Sequence, residues 1–368
     1  MRIVFDCRYT RLDGRHDGIS RYTSGLVGEL GKLHPVTMLI SDHRQLSLLP
    51  ALPWELANAP TSIREPLVAL RVNRLKPDIV FSPMQTMGAR GRKYRLLLTV
   101  HDLIYYRNRT PPRDLAEPLR LLWRLYHLAW WPQRMLLNRA DGVVTVSETT
   151  KALIAKHRLA RGPVTVIPNA ADDLPGGPVT NTVPATTRLV YMGSFMPYKN
   201  VETLVLGMAR LPDHELHLMS RISEADRQRL AALAPQATVV FHDGVTDQAY
   251  AEILRSATAL VTASRDEGFG IPLVESMSLG IPVVVSEIPI FREIGGDAAL
   301  FFPAEDPDAF AAAVRQLAKP GEWAVRSARS VEQASRFTWR GSAEKLLAVL
   351  AQTVAARPRP VRRQRRTR

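Results

Sequence analysis

The chain has 368 residues, 46% of them hydrophobic and 23% charged, which favours two domains over one and describes an ordinary globular composition. Its one cysteine, Cys7, excludes an internal disulfide and a cysteine-rich zinc site, and no apolar run approaches the roughly 18 residues of a membrane span. The formal net charge of +14 sits in the first half and in an arginine-rich tail, while residues 176–356 are mildly acidic, an asymmetry that points to an anionic partner.

Arg2 to Cys7 (RIVFDC) reads as a buried strand and not as a signal peptide. A polar loop over Tyr9 to Asp17 leads to Gly18-Ile19-Ser20, which opens a helix with Tyr22, Leu26, Val27 and Leu30 on one face. This strand, loop and helix start form the opening of a Rossmann-like unit, whose helix N-terminus can receive phosphate. The G-x-G-x-x-G fingerprint of dinucleotide sites is absent. Val36 to Ile40 is a second strand, 41–63 reads as irregular, and a helix from Glu65 to Leu75 leads into the strand KPDIVFSP. RLLLTVHDL (95–103) is an apolar strand ending in His101 and Asp102, at the edge where open α/β sheets bind ligands.

Between 113 and 139, Leu, Trp and Tyr interleave with Arg120, Arg124, His127, Arg134 and Arg139, and Pro132 should kink or break the helix. With Trp123, Trp130 and Trp131, this pattern fits either a surface for anionic lipid headgroups or a core helix with a solvated basic face. Residues 141–157 are a strand and then a helix capped by Ser147, and Val164 to Asn169 is the next strand. The Pro-, Gly- and Thr-rich run 172–187 reads as a linker.

The second half repeats the plan. RLVYMGSFMPYKN (188–200) is a strand, a glycine turn and a loop, with Lys199 just before a helix, where a cation can neutralise a departing diphosphate. LHLMS (216–220) and TVVFHDG (238–244) are strands around a helix, and 249–264 is a helix followed by a strand. TASRDEGFGIPLVESMSLGIPVVVS (262–286) carries the most chemistry. A strand ends, Gly268-Phe269-Gly270 turns, Pro272 falls in the first turn of a helix, Gly280 ends it, and Ile281 to Val285 is a buried strand. Glu267 lies at the strand's carboxyl end, and Glu275 follows at a spacing of about two helical turns. Backbone N–H groups from Phe269, Gly270 and Ile271 onward offer an anion site between them. A carboxylate for hydroxyls beside amides for phosphate is what a sugar nucleotide requires. Pro289 to Glu293 and 297–299 read as loops, and 307–318 as a helix. Asp306 reads as that helix's cap in preference to a D-x-D metal motif. The last helix is 337–355, and 356–368 is a disordered basic tail.

The E-x7-E spacing of Glu267 and Glu275, with the glycine and apolar strand behind it, resembles the signature of retaining glycosyltransferases of family 4. GISRYTSGL, Val146-Ser147-Glu148, VIPNA and G-S-F-x-P-x-K-N resemble segments of that family in the same order, although Ala170 stands where the family usually has glycine. The resemblance implies an α/β GT-B fold, two Rossmann-like domains facing across a cleft. Residues 1–171 would bind the acceptor, 172–187 link, 188–336 bind the nucleotide sugar, and 337–355 cross back. It further implies a retaining transferase that moves a hexose, mannose favoured, to a hydroxyl of a glycan or lipid-linked acceptor. The donor is a nucleotide diphosphate sugar, GDP-mannose favoured, and no metal is required.

By the same resemblance Glu267 orients the transferred sugar, Glu275 holds the ribose hydroxyls, His101 lines the reaction centre and Lys199 neutralises the diphosphate. Gly18, Ser194, Phe269, Gly270 and Ile271 would also contact the donor, the last three through backbone amides, and Asp243-Gly244-Val245 would border the base. Ser194 replaces an arginine usual in the family, so Arg265 or an arginine of the first domain would have to complete the cation pair. A cytoplasmic location is expected, peripheral on the inner face of the membrane, with an anionic membrane surface as a further partner and nucleic acid not expected. Alternatives are a UDP-hexose donor, an epimerase or phosphorylase on the same fold, or a non-catalytic basic protein that binds membrane or nucleic acid.

Overall fold

In the computed structural model, which describes residues 1–12, 18–111, 117–172, 177, 179 and 187–356, the strands sort into two parallel sheets. The first holds β1 (Ile3–Asp6), β2 (Val36–Ile40), β3 (Trp54–Leu56), β4 (Ile79–Ser82), β5 (Arg95–Val100), β6 (Gly142–Thr145) and β7 (Val164–Val166), ordered β3-β2-β1-β4-β5-β6-β7. Its helices are α1 (Gly18–Leu33), α2 (Val68–Val72), α3 (Ile104–Arg107), α4 (Glu117–Tyr126), α5 (Trp131–Leu137) and α6 (Glu148–Lys156).

The second sheet holds β8 (Arg188–Tyr191), β9 (Glu215–Leu218), β10 (Thr238–Phe241), β11 (Ala259–Thr262), β12 (Val283–Ser286) and β13 (Leu300–Phe302), ordered β10-β9-β8-β11-β12-β13. With it go α7 (Val201–Met208), α8 (Glu224–Leu233), α9 (Asp247–Arg255), α10 (Ile271–Ser278), α11 (Pro289–Gly295), α12 (Pro307–Gln316), α13 (Glu322–Ala334) and α14 (Trp339–Ala355). Both orders reverse beside their first strand, between β1 and β4 and between β8 and β11. Such a switch point opens a crevice at the carboxyl ends of the strands.

Central strands such as β1, β4, β6, β11 and β12 are buried along their whole length, as continuous apolar runs require in a sheet covered on both faces. The short elements depart from the sequence reading. Residues 41–63 hold a 3-10 turn, His43–Leu48, capped by Asp42, and the edge strand β3. That strand has three residues and follows Pro53, too little for a periodic signal. Pro289 to Glu293, read as loop, lie in α11, with Pro289 at its start, and β13 follows. The helix expected over Glu65 to Leu75 is divided among two 3-10 turns and α2. Pro132 falls in the first turn of α5, so the chain breaks between α4 and α5.

Helix α14 packs on α1 of the first lobe and buries Ala343, Leu346 and Leu350. A Cβ on Gly25 would fall within the Trp339 ring, so only glycine lets these helices come so close. Trp339 Nε1 donates to Asp172 Oδ1 at 2.8 Å, and Ser342 Oγ donates to the Pro168 carbonyl at 2.8 Å. Most of the expected linker, all of the tail beyond Ala356, and the loop at 13–17 lie outside the described residues.

Candidate active site

Strand β11 delivers its last residues to the crevice rim, and Gly270 then takes a left-handed φ of 95° before α10. Between them Glu267 accepts a hydrogen bond from Ser264 Oγ at 3.1 Å and forms an ion pair with Lys199 Nζ. The lysine arrives on the 3-10 turn Pro197–Lys199 after β8, and that turn is tied to the rim by the Arg265 amide donating to the Tyr198 carbonyl at 2.7 Å. Because β8 and β11 are neighbours, the two loops emerge side by side.

Glu275 lies on α10 and is 1% exposed. Its carboxylate pairs with Arg21 Nη1 from α1 of the opposite lobe. Arg21 also approaches Asp247 Oδ1 at 3.4 Å and Asp172 Oδ2 at 3.9 Å. Burial pushes the Glu275 carboxyl up from its ordinary value, and the guanidinium opposes that shift.

Gly268 faces His101 and Asp102 across the crevice. A Cβ there would lie 2.9 Å from both Asp102 Cβ and the His101 carbonyl oxygen, so a side chain would force the lobes apart. Ser147 Oγ donates to the Gly268 carbonyl at 3.1 Å. His101 Nε2 donates to the Pro83 carbonyl at 2.8 Å, and its ring meets Tyr22 edge-on at 5.0 Å. Gly18 stands beside Ile271, since a Cβ on Gly18 would be 3.4 Å from Ile271 Cδ1. The Phe269 side chain is buried edge-on to Phe337, so only its backbone is available to a ligand. Ser194 is exposed at the end of β8's turn, and its carbonyl accepts from Tyr191 Oη at 2.7 Å.

Several residues of the crevice were not singled out in the sequence. Asp266, 5% exposed, pairs with Arg107 and accepts from Asn108 Nδ2 at 3.2 Å, both from the other lobe. Burial first, then Asp102 and Glu267, push its carboxyl up to about 6 against the pull of Arg107. Glu293 of α11 caps α6 from across the crevice, accepting from the amides of Glu148 at 2.7 Å and Thr149 at 2.8 Å. Arg21 sits inside the GISRYTSGL segment and Asp266 directly precedes Glu267, which is the only sequence signal for either. Arg265, one of the cations the sequence offers beside Ser194, has partners of its own in the second lobe. Its guanidinium is bound to Glu305 at 2.8 Å, to the Pro197 carbonyl at 2.6 Å and to Asn200 Oδ1 at 2.9 Å, so it braces the lysine's turn. Among the described residues no group of three or more His, Cys, Asp or Glu is placed to hold a metal, and no helix is long and apolar enough to cross a membrane.

The family described as "Glycosyltransferase Family 4" matches residues 16–173, and that described as "Glycosyl transferases group 1" matches residues 186–319. The O-antigen chain mannosyltransferase RfbU of Salmonella typhimurium is 23% identical over 323 residues, covering 84% of this chain and 89% of the relative. Among solved structures, sucrose-phosphate synthase from Thermosynechococcus elongatus superposes with a TM-score of 0.74 at 20% identity, covering 97% of this chain and 100% of that one. Anabaena HepE in complex with UDP-glucose gives 0.71 at 14% identity over 96% of this chain and 100% of that one. At those identities the superpositions establish the fold alone. With one matched family on each lobe and the two switch points face to face, the chain is a glycosyltransferase of the GT-B fold, related to the group 1 and family 4 enzymes.

Proposed function

We propose that the enzyme moves a hexose from a nucleotide diphosphate sugar to a hydroxyl of a glycan or lipid-linked acceptor, with retention at the anomeric carbon. In this reading 1–171 receives the acceptor, 188–336 binds the donor, 172–187 links the two and 337–355 crosses back. One observation carries the reading. Two glutamates at the crevice, Glu267 and Glu275, are each matched to one cation, Lys199 and Arg21. A sugar nucleotide supplies the complement of both pairs at once. Its diphosphate takes the two cations, while its sugar and ribose hydroxyls donate to the two released carboxylates.

Under this exchange Glu275 holds the ribose and Glu267 orients the transferred sugar. Lys199 and Arg21 gather charge on the departing diphosphate, Arg21 serving where Ser194 offers no cation. The amides of Phe269, Gly270 and Ile271 add the helix N-terminus of α10, and Gly18 leaves room for the phosphates. His101 lines the reaction centre.

GDP-mannose is the favoured donor, because the relative named an O-antigen chain mannosyltransferase spans 84% of the chain. UDP-hexose is the second reading, since the solved HepE relative binds UDP-glucose. Calorimetric titration with GDP-mannose, UDP-glucose and UDP separates the two. GDP-mannose is expected to bind at least tenfold more tightly, a difference of about 1.4 kcal/mol. Equal or weaker binding than UDP-glucose rejects the mannose assignment, and no binding by any of them rejects the donor site. Proton NMR of the product's anomeric centre decides the stereochemistry.

A further inference from the structure

Helix α4 and the turn after it expose what most helices bury. No side chain from residue 119 to 132 is buried. Leu121, Leu122, Leu125 and Leu128 are between 54% and 62% exposed, followed by Trp131 at 61% and Met135 at 51%. On a helical projection Leu121, Leu122 and Leu125 fall within an arc of about 100°, with Arg120 and Arg124 along one flank. The opposite face holds the helix to the protein through aromatic contacts. Trp123 meets Tyr105 edge-on at 5.0 Å, and Trp130 stacks between Tyr106 and His157, each at 4.0 Å. The leucines therefore point away from a fixed, well-anchored inner face. An apolar patch of this kind is an interaction surface.

Charge selects the occupant. Residues 118–140 contain four arginines and no acid. Beside Met135 lies a recess of about 420 Å³ lined by Arg134, Asn138, Arg158 and Arg161. Arg134 is oriented there by donating to the His157 carbonyl at 2.8 Å. Three guanidinium groups next to a leucine and tryptophan stripe match a phosphate headgroup beside acyl chains.

We propose that the α4–α5 face is a docking surface for an anionic lipid bilayer, with Leu121, Leu122, Leu125 and Trp131 in the acyl boundary and Arg134, Arg158 and Arg161 on headgroup phosphates. This is independent of the donor's identity. The surface lies one short helix from the crevice, since α3 carries both Tyr105 and Tyr106, which hold α4 and α5, and Arg107, which pairs with Asp266.

The test is cosedimentation of the full chain with vesicles of phosphatidylcholine alone and of equal parts phosphatidylcholine and phosphatidylglycerol. Binding is expected to the anionic vesicles and to be at least tenfold weaker to the neutral ones, given about 1 kcal/mol per basic residue at the surface. Leu122→Glu/Leu125→Glu and, separately, Arg134→Glu/Arg158→Glu should each lower partitioning by roughly tenfold or more. A chain ending at Ala356 should keep most of the binding. Brominated lipid should quench tryptophan fluorescence, and Trp131→Phe should remove most of that quenching. Unchanged partitioning of both double variants overturns the proposal, as does binding that vanishes with residues 357–368. A shift of the leucine variant from dimer to monomer in sedimentation velocity also overturns it, because a second copy would then be the occupant. Circular dichroism melts and donor hydrolysis with a soluble acceptor check that the variants are folded, and the arginine pair supplies the decision if the leucine pair is not.

Discussion

Arg21 on α1 and Glu275 on α10 meet across the crevice, although 254 residues separate them in the chain. A carboxylate 1% exposed is costly to ionise without a partner, and the guanidinium from the opposite lobe supplies one. The pair thus joins the lobes through the same carboxylate that we assign to the ribose.

Glu275→Ala should weaken donor binding by roughly thirtyfold, the loss of about 2 kcal/mol expected for hydrogen bonds to a charged group. Calorimetry on folded variant and parent measures it. Unchanged affinity removes Glu275 from the donor site.

Lys199→Ala should act on turnover more than on affinity, because charge on the leaving diphosphate is greatest in the transition state. A fall of roughly a hundredfold or more in kcat is expected. Steady-state kinetics with the donor varied tests this. A change confined to KM would make Lys199 a binding residue only.

Gly268→Ala introduces a Cβ 2.9 Å from Asp102 Cβ and from the His101 carbonyl, both on the other lobe. The expected result is a chain whose lobes fold but sit further apart. Small-angle scattering should report a larger radius of gyration, with activity lost. A variant with the parent's radius and activity contradicts the close approach.

Asp266 gives the protein a pH dependence whose sign is fixed. Its carboxyl is pushed up to about 6 from an ordinary 3.8, chiefly by burial. The folded state therefore holds this proton more tightly than the unfolded state does. Its stabilising effect is complete below pH 3.8 and is lost as pH rises to about 6, an effect on the order of 3 kcal/mol. Asp266→Asn should flatten the stability profile across this window, as measured by urea unfolding at a series of pH values. A variant whose profile parallels the parent's shows that another group titrates there.

The long elements were legible because their chemistry is local. Buried apolar runs marked β1, β5, β6 and β12, rich in leucine in β5 and in β-branched residues in the others, and the spacing of Glu267, Gly270, Pro272 and Gly280 marked the turn and helix between two strands. The three-residue strands β3 and β13 were not, although β7, equally short and also at an edge, was, because three residues carry no period that separates strand from loop. Helix α11, read as a loop, draws its order from Ile290, Phe291 and Ile294, all buried in the core. In the crevice the two glutamates and Lys199 could be singled out, but not what they pair with. Arg21, Arg107 and the Glu293 cap on α6 act between lobes, and sequence separation hides such contacts. The second cation was expected from Arg265 or from an arginine of the first domain; Glu305 and Asn200 hold Arg265, and only the fold shows that Arg21 is the first-domain arginine at Glu275.

Helix α14 also bears on the order in which the molecule can be built. The surface of α1 that receives Trp339, around Gly25, precedes the second lobe in the chain, while the tryptophan follows it. A growing polypeptide must carry that apolar face bare throughout synthesis of the second lobe, and this is when association with other nascent chains is most favoured. Completion of the first lobe therefore waits until α14, beyond the second lobe, has been made.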